Sequence, residues 1–283
     1  MRDAEFLFPL GKEWYEKFYV RIRDSLNLSE RADTRSRDLL SRLLTEKGSN
    51  TEYGKIALLK EQSRKKRKRT VVFGAGPSLE EDLAGLCEFV KHESNNLFVV
   101  AADGAADGLI SEGIEPQILV SDLDSCSERV LIDQSTKKED YCLLVHAHGD
   151  NMSLISRIAP LLGRGNVLGT TQVLPLENVQ NVGGFTDGDR ACYLAAAFLH
   201  PEQIIIAGMD FGRVEGRFSR ARSGASGISE DWKFRKLEFG RESLEYLITR
   251  CHGEIDFVNV TSKGTEINGA RHSSYSEIIS EYS

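Results

Sequence analysis

From Thr70 onward the chain repeats one pattern, an apolar run of strand length followed by a segment of helix length. The runs fall near residues 70–73, 97–102, 117–121, 142–147, 166–173, 203–208 and 255–260. Parallel neighbours need long crossovers rather than hairpins, so this alternation points to a mostly parallel sheet covered by helices on both faces. The expected fold is therefore an α/β, Rossmann-like domain over residues 70–283.

Residues 1–69 read differently. Trp14, Phe18, Ile22 and Leu26 recur at i, i+4 spacing, Leu39, Leu40, Leu43 and Leu44 make a second apolar stripe, and Gly48, Ser49 and Asn50 mark a break. This is the pattern of a small helical segment that packs on the main domain or makes a dimer contact. Its closing basic run, residues 64–69, has no aromatic residues between the charges and reads as a solvated helix end.

The formal net charge of −7 argues against a protein built to hold a nucleic-acid backbone. Apolar runs are strand-sized, and the first residues lack the basic start and apolar stretch of a signal peptide. Five cysteines without C-x-x-C spacing suit reduced thiols, so the expectation is a cytoplasmic protein with no membrane or nucleic-acid partner.

Loops at the carboxyl ends of strands form the ligand crevice of an open parallel sheet. Asp103 directly follows one apolar run, and Asp122 and Asp124 follow the next. Any one of them alone reads as a turn or cap residue. Two strand ends repeating the pattern read as a site. Converging carboxylates repel unless a cation lies between them, and Mg2+ binds through one or two carboxylates together with phosphate oxygens. At i, i+2 on a strand end, Asp122 and Asp124 would point the same way and share one metal or hold two.

Other stretches join this candidate site. In Gly183-Gly184-Phe185-Thr186-Asp187-Gly188-Asp189, the spacing of Thr186 and the acid three residues later is that of an N-cap, which leaves Asp187 and the glycines unexplained. The turn Gly74-Ala75-Gly76-Pro77 shapes the crevice before a helix opening at Ser78, with Ser78 and Glu81 spaced as a capping box. His146 and His148 have no partner Cys or Glu at metal-ligand spacing and read as loop histidines or substrate contacts. Arg213, Arg217, Arg220 and Arg222 lie in a Gly/Ser/Arg-rich stretch, residues 212–231, which reads either as a lid over phosphates or as a solvated loop. The cluster Gly269-Ala270-Arg271-His272-Ser273-Ser274 is a candidate to return to the site.

The motifs ADGAADGL at 102–109, ILVSDLDS at 118–125 and FTDGD at 185–189 resemble the acidic motifs of thiamin pyrophosphokinases. With GAGPSLEEDL at 74–83, NVGGFTDGDRA at 181–191 and GMDFG at 208–212, the chain resembles more closely the archaeal 6-hydroxymethyl-7,8-dihydropterin pyrophosphokinase family, part of a wider group with motility accessory proteins. The resemblance implies Mg2+-dependent transfer of a diphosphate from ATP to a pterin hydroxymethyl group, releasing AMP. Carried over by position, Asp103, Asp122 and Asp124 would hold metal and triphosphate, with Asp187 a fourth catalytic acid. Gly76, Ser125, Thr186, Asp189, Arg220 and Arg222 would complete the nucleotide site, and Thr170, Thr171, Gln172 and Asn181 are candidates for the edge of a flat heteroaromatic alcohol. Ala105-Ala106 and Asp189 depart from the thiamin enzymes' pattern. The alternatives are a thiamin pyrophosphokinase or a motility-accessory, glycosyltransferase-like protein. A homodimer is the candidate assembly.

Overall fold

The computed structural model describes residues 5–47, 61, 69–93, 96–136, 141–163, 167–219 and 229–282. Its strands are β1 (Arg69–Phe73), β2 (Leu97–Ala102), β3 (Ile118–Ser121), β4 (Cys142–Ala147), β5 (Val167–Thr171), β6 (Val179–Gln180), β7 (Gln203–Ala207), β8 (Asp256–Asn259) and β9 (Arg271–His272). They form one nine-stranded sheet of order β6-β5-β4-β3-β2-β1-β7-β8-β9. Each of these strand pairings is parallel. The order reverses direction between β1 and β7, which is the switch point of a doubly wound sheet. The two shortest strands, β6 and β9, escape a reading based on apolar runs because each is only two residues long.

The helices are α1 (Pro9–Trp14), α2 (Val20–Leu26), α3 (Glu30–Glu46), α4 (Pro77–His92), α5 (Ala105–Ser111), α6 (Glu128–Thr136), α7 (Met152–Arg157), α8 (Asp187–Leu194), α9 (Glu230–Arg250) and α10 (Tyr275–Tyr282). A π-helical turn, Tyr15–Tyr19, joins α1 to α2. Strand residues alternate between two cores, as a pleated sheet requires. Val72, Val100, Val120, Leu144 and Ile206 face one core, while Val71, Val99, Leu119, Leu143 and Ile205 face the other.

The N-terminal helices enter both cores. Trp14, Phe18, Ile22 and Leu26 belong to the first, with residues of α8 and α9. Leu40 and Leu44 of α3 belong to the second. The segment therefore grips the sheet from both sides. The indole of Trp14 donates to the Ser243 hydroxyl at 3.0 Å, and the Leu7 amide donates to the Gln180 side chain at 3.0 Å. Ser29 caps α3 by accepting from the Ala32 amide, and Asn27 supplies the left-handed residue that ends α2.

Among the described residues, no helix is long and apolar enough to cross a membrane. Trp14→Ala removes a fully buried ring from the interface of α1 with α9. It is expected to lower unfolding free energy by about 3–5 kcal/mol, measured by urea denaturation.

Candidate active site

Parallel strands all deliver their carboxyl ends to one rim of the sheet, and a crossover helix starts over that rim. Asp103 follows β2, Asp122 and Asp124 follow β3, and Asp187 opens α8, which packs across β1 to β3. One oxygen from each of Asp103, Asp122 and Asp124 lies within 4.8 Å of the others.

The two β3 acids meet through a turn rather than through strand pleating. β3 ends at Ser121, and Leu123 turns the chain with φ of 79°, a left-handed conformation costly for a bulky side chain. Asp103 itself has φ of 44°. Its carboxylate accepts from the Ser121 hydroxyl and from the amides of Ser125 (3.0 Å) and Cys126 (3.3 Å), so it holds the turn that carries its neighbours. The Ser125 hydroxyl donates to Asp124 at 2.6 Å. Strain of this kind persists only where surrounding contacts over-determine it.

Electrostatics show the cost of this convergence. Burial first, then the charges of Asp122 and Asp124, holds Asp103 well above the ordinary carboxylate range. Burial, then Asp122 and Asp103, does the same to Asp187, opposed by Arg190 and Lys236. Asp124 is raised by burial and by Asp122. For Asp122, burial is outweighed by the hydrogen bond and charge of His148, with Lys236 adding, and its carboxyl lies below the ordinary range. A hard divalent cation suits such a donor set, since hard oxygens surround it and its charge relieves their repulsion.

The other residues read from the sequence fall in distinct places. Thr186 and Asp189 form a capping box, and Asp189 accepts from the Phe185 and Thr186 amides and the Thr186 hydroxyl. Both Asp189 oxygens thus serve their own loop. The Gly76 amide donates to Gly208, and a Cβ at Gly76 would lie 2.0 Å from an Asp210 oxygen. Asp210 accepts from the Ser78 amide and hydroxyl, so α4 starts at Pro77 and is capped across the sheet by Asp210 rather than by a Ser78–Glu81 box.

Of the arginine-rich stretch, residues 212–219 run over the site's rim. A Cβ at Gly104 would lie 1.8 Å from the Phe218 carbonyl oxygen, and the Ser125 hydroxyl donates to the Ser219 carbonyl. Arg213 pairs with Asp231 and lies over the Phe234 ring. Arg220 and Arg222 lie outside the described residues, as do residues 64–68 of the basic run. The 269–274 cluster does not join the acids. Arg271 and His272 form edge strand β9, on the flank of the sheet away from β2 and β3.

Several residues were not legible beforehand. Asp33 of α3 accepts from the Gly149 amide (2.8 Å), the Tyr19 hydroxyl (2.9 Å) and the Gln172 side chain (2.8 Å). Gln172 also acts on His146, which stacks on His148, and His148 Nε2 lies 3.5 Å from Asp122 Oδ2. Asn151 donates to the carbonyls of Asp122 and His146 and accepts from Ser36 of α3. An unbroken polar chain therefore runs from the N-terminal helices to the acid turn. His146 and His148, at i, i+2 on a strand end, were its only visible signal. Arg190 is fully buried and donates to the Gly183 and Phe185 carbonyls, tying the glycine loop in place.

A family model described as 6-hydroxymethylpterin diphosphokinase MptE-like matches residues 41–216. The chain belongs to this family. Three archaeal relatives carry the name 6-hydroxymethyl-7,8-dihydropterin pyrophosphokinase. That of Pyrococcus furiosus is 38% identical over 239 residues, covering 83% of this chain and 93% of the relative. That of Methanothermobacter thermautotrophicus is 36% identical over 232 residues, covering 82% and 92%. That of Methanocaldococcus jannaschii is 35% identical over 253 residues, covering 87% and 98%. The family is one of enzymes of the pyrophosphokinase class, and the resemblance read from the acidic motifs holds. A MAf glycosyltransferase structure from Magnetospirillum magneticum AMB-1 aligns over 80% of this chain and 39% of its own, with 15% identity and a TM-score of 0.48, a likeness too slight to weigh further.

Two outcomes follow for this family member. Asp103 and Asp187 keep protons in the folded state that the unfolded chain, with carboxyls near about 4, has already lost. Between those ranges the native state binds more protons, so stability contributed by these acids falls as pH rises. Mg2+ is therefore expected to raise Tm more at about pH 8 than at about pH 5, measured by thermal melts with and without chelator. Asp33→Asn leaves one oxygen for three buried donors and is expected to cost about 1–3 kcal/mol in urea denaturation.

Proposed function

We propose that this protein transfers a diphosphate from ATP to the hydroxymethyl group of 6-hydroxymethyl-7,8-dihydropterin, giving the pterin diphosphate and AMP. The observation that carries this reading is the convergence of Asp103, Asp122 and Asp124 on one rim, in a chain whose relatives are named for that diphosphokinase chemistry. Mg2+ held by these three acids would neutralise triphosphate charge and align the reacting groups.

The acceptor oxygen attacks the β-phosphorus. The bond between that phosphorus and the oxygen bridging to the α-phosphorus breaks, and AMP leaves with the bonding pair. Asp187 stands outside the triad, and with a cation offsetting the charges of Asp122 and Asp103 its carboxylate would be free to receive the hydroxyl proton. Asp103 keeps the acid turn in register through Ser125 and Cys126 and would be one of the three acids holding the cation. His148 keeps Asp122 ionised and ready to bind. The buried chain of Asp33, Gln172 and His146 borders the acids on the β4–β5 side. Residues 216–219, lying against Gly76, Gly104 and Ser125, keep water from the triphosphate, where it would compete as nucleophile.

Asp122→Ala and Asp124→Ala are each expected to cut turnover on the order of a hundredfold or more with the fold retained. The assay supplies ATP and Mg2+ with either 6-hydroxymethyl-7,8-dihydropterin or thiamin and scores AMP against diphosphorylated acceptor. Stoichiometric AMP with the pterin alone supports the reading. Product with thiamin alone, or undiminished activity in both variants, overturns the acceptor or the metal site respectively.

A further inference from the structure

Helix α9 contributes one residue to this site that no motif marks. Lys236, Gly240, Ser243 and Leu247 form a stripe at helical spacing along α9. Three of the four face α8 and its neighbours. A Cβ on Gly240 would come within 2.9 Å of the Thr186 side chain, the Ser243 carbonyl accepts from the Tyr193 hydroxyl at 3.1 Å, and Leu247 is buried in the shared core. Phe239 meets Phe185 edge-on at 6.4 Å, on the loop just before α8. Lys236 lies one turn N-terminal of Gly240, and helical side chains lean toward the helix N-terminus. That register puts Lys236 on the face of α9 nearest the start of α8, where Asp187 stands.

The surroundings of Lys236 set it apart from the other nitrogen groups of the site. Arg190 is fully buried and tied to two carbonyls, and His148 sits against Asp122. Lys236 is half-buried on a flexible stem, and among the described residues it makes no direct ion pair. Its charge is nevertheless felt by Asp122, Asp124 and Asp187 together. A compact ammonium with three donors, held near several carboxylates but bonded to none, can change partner when the charge around it changes.

We propose that Lys236 is a triphosphate-binding residue, which balances the acid cluster when nucleotide is absent and pairs with a phosphate oxygen of the metal–nucleotide complex when it is present. This assignment rests on the nucleotide-dependent reading of the site and deepens it. It requires two effects of opposite sign. Removing the ammonium takes a positive charge away from the acids, so a bare divalent cation binds more tightly. The same change removes a charge-assisted hydrogen bond to phosphate, so nucleotide binds more weakly.

The test uses the full chain as wild type, Lys236→Met and Lys236→Arg. Mn2+ is titrated alone by the EPR signal of the free ion, and a non-hydrolysable ATP analogue is titrated calorimetrically at saturating Mn2+. Lys236→Met is expected to bind Mn2+ more tightly and the analogue about tenfold or more weakly, with Lys236→Arg recovering most of the analogue affinity. Unchanged analogue affinity in Lys236→Met would reduce Lys236 to a counter-ion of the acids and overturn the proposal. Parallel weakening of both ligands with a lower Tm would overturn it in favour of a purely structural role. Wild-type protein that binds Mn2+ and the analogue but makes no pterin diphosphate would sink the proposed reaction while leaving the Lys236 assignment standing. Wild-type protein that fails to bind the analogue would sink both.

Discussion

Four carboxylates brought to one rim of a parallel sheet are the constraint on which the rest of this structure turns. Repulsion among Asp103, Asp122, Asp124 and Asp187 works against the fold, and three of the four are pushed toward their protonated forms. The neighbouring nitrogen groups act on this problem from different directions. His148 lies against Asp122, Arg190 locks the glycine loop behind Asp187, and Lys236 reaches over from α9. The left-handed turns at Asp103 and Leu123 belong to the same arrangement, since they gather acids from two strands into a volume that one ion can span.

Holding that arrangement falls in large part to elements remote in sequence. Asp33 and Ser36 of α3 secure Gly149, Gln172 and Asn151, and Asn151 secures the carbonyl of Asp122. The N-terminal helices thus reach the acid turn through hydrogen bonds as well as through the cores they share with the sheet. An unpaired buried polar atom costs more than a hydrogen bond returns, and in this chain that cost falls on His146 Nδ1, which has no hydrogen-bond partner among the described residues. Asp210 plays a comparable part across the switch point, where it caps α4 by accepting from the Ser78 amide and hydroxyl.

The switch point itself is zipped by backbone bonds from Gly74 to Ala207 and from Gly76 to Gly208. The acids gather one and two strands away, after β2 and β3. In open sheets the ligand crevice follows the splayed loops, and here the splay has moved from β1 and β7 to the β2–β3 side beneath α8. Residues 216–219 cover the seam between the two places, so the proposed triphosphate site has a floor of acids and a wall of backbone.

The sequence by itself determined the alternating α/β architecture, the four acids and the amphipathic N-terminal helices, because strand alternation, helix spacing and strand-end acids are local patterns. It also carried the Thr186–Asp189 cap, since both partners lie in one helical turn. Only the tertiary structure decided that Asp210 rather than Glu81 caps α4, that Arg271 and His272 go to the far edge, and that Asp122 and Asp124 meet through a left-handed turn. It alone joined Asp33, His148 and Lys236 to the acids, across separations of tens of residues or more, and buried Arg190 beside its near neighbour Asp187. Such partnerships have no period to betray them. They arise where buried charge must find a counter-charge, and which one it finds depends on which elements the sheet order brings to the same rim.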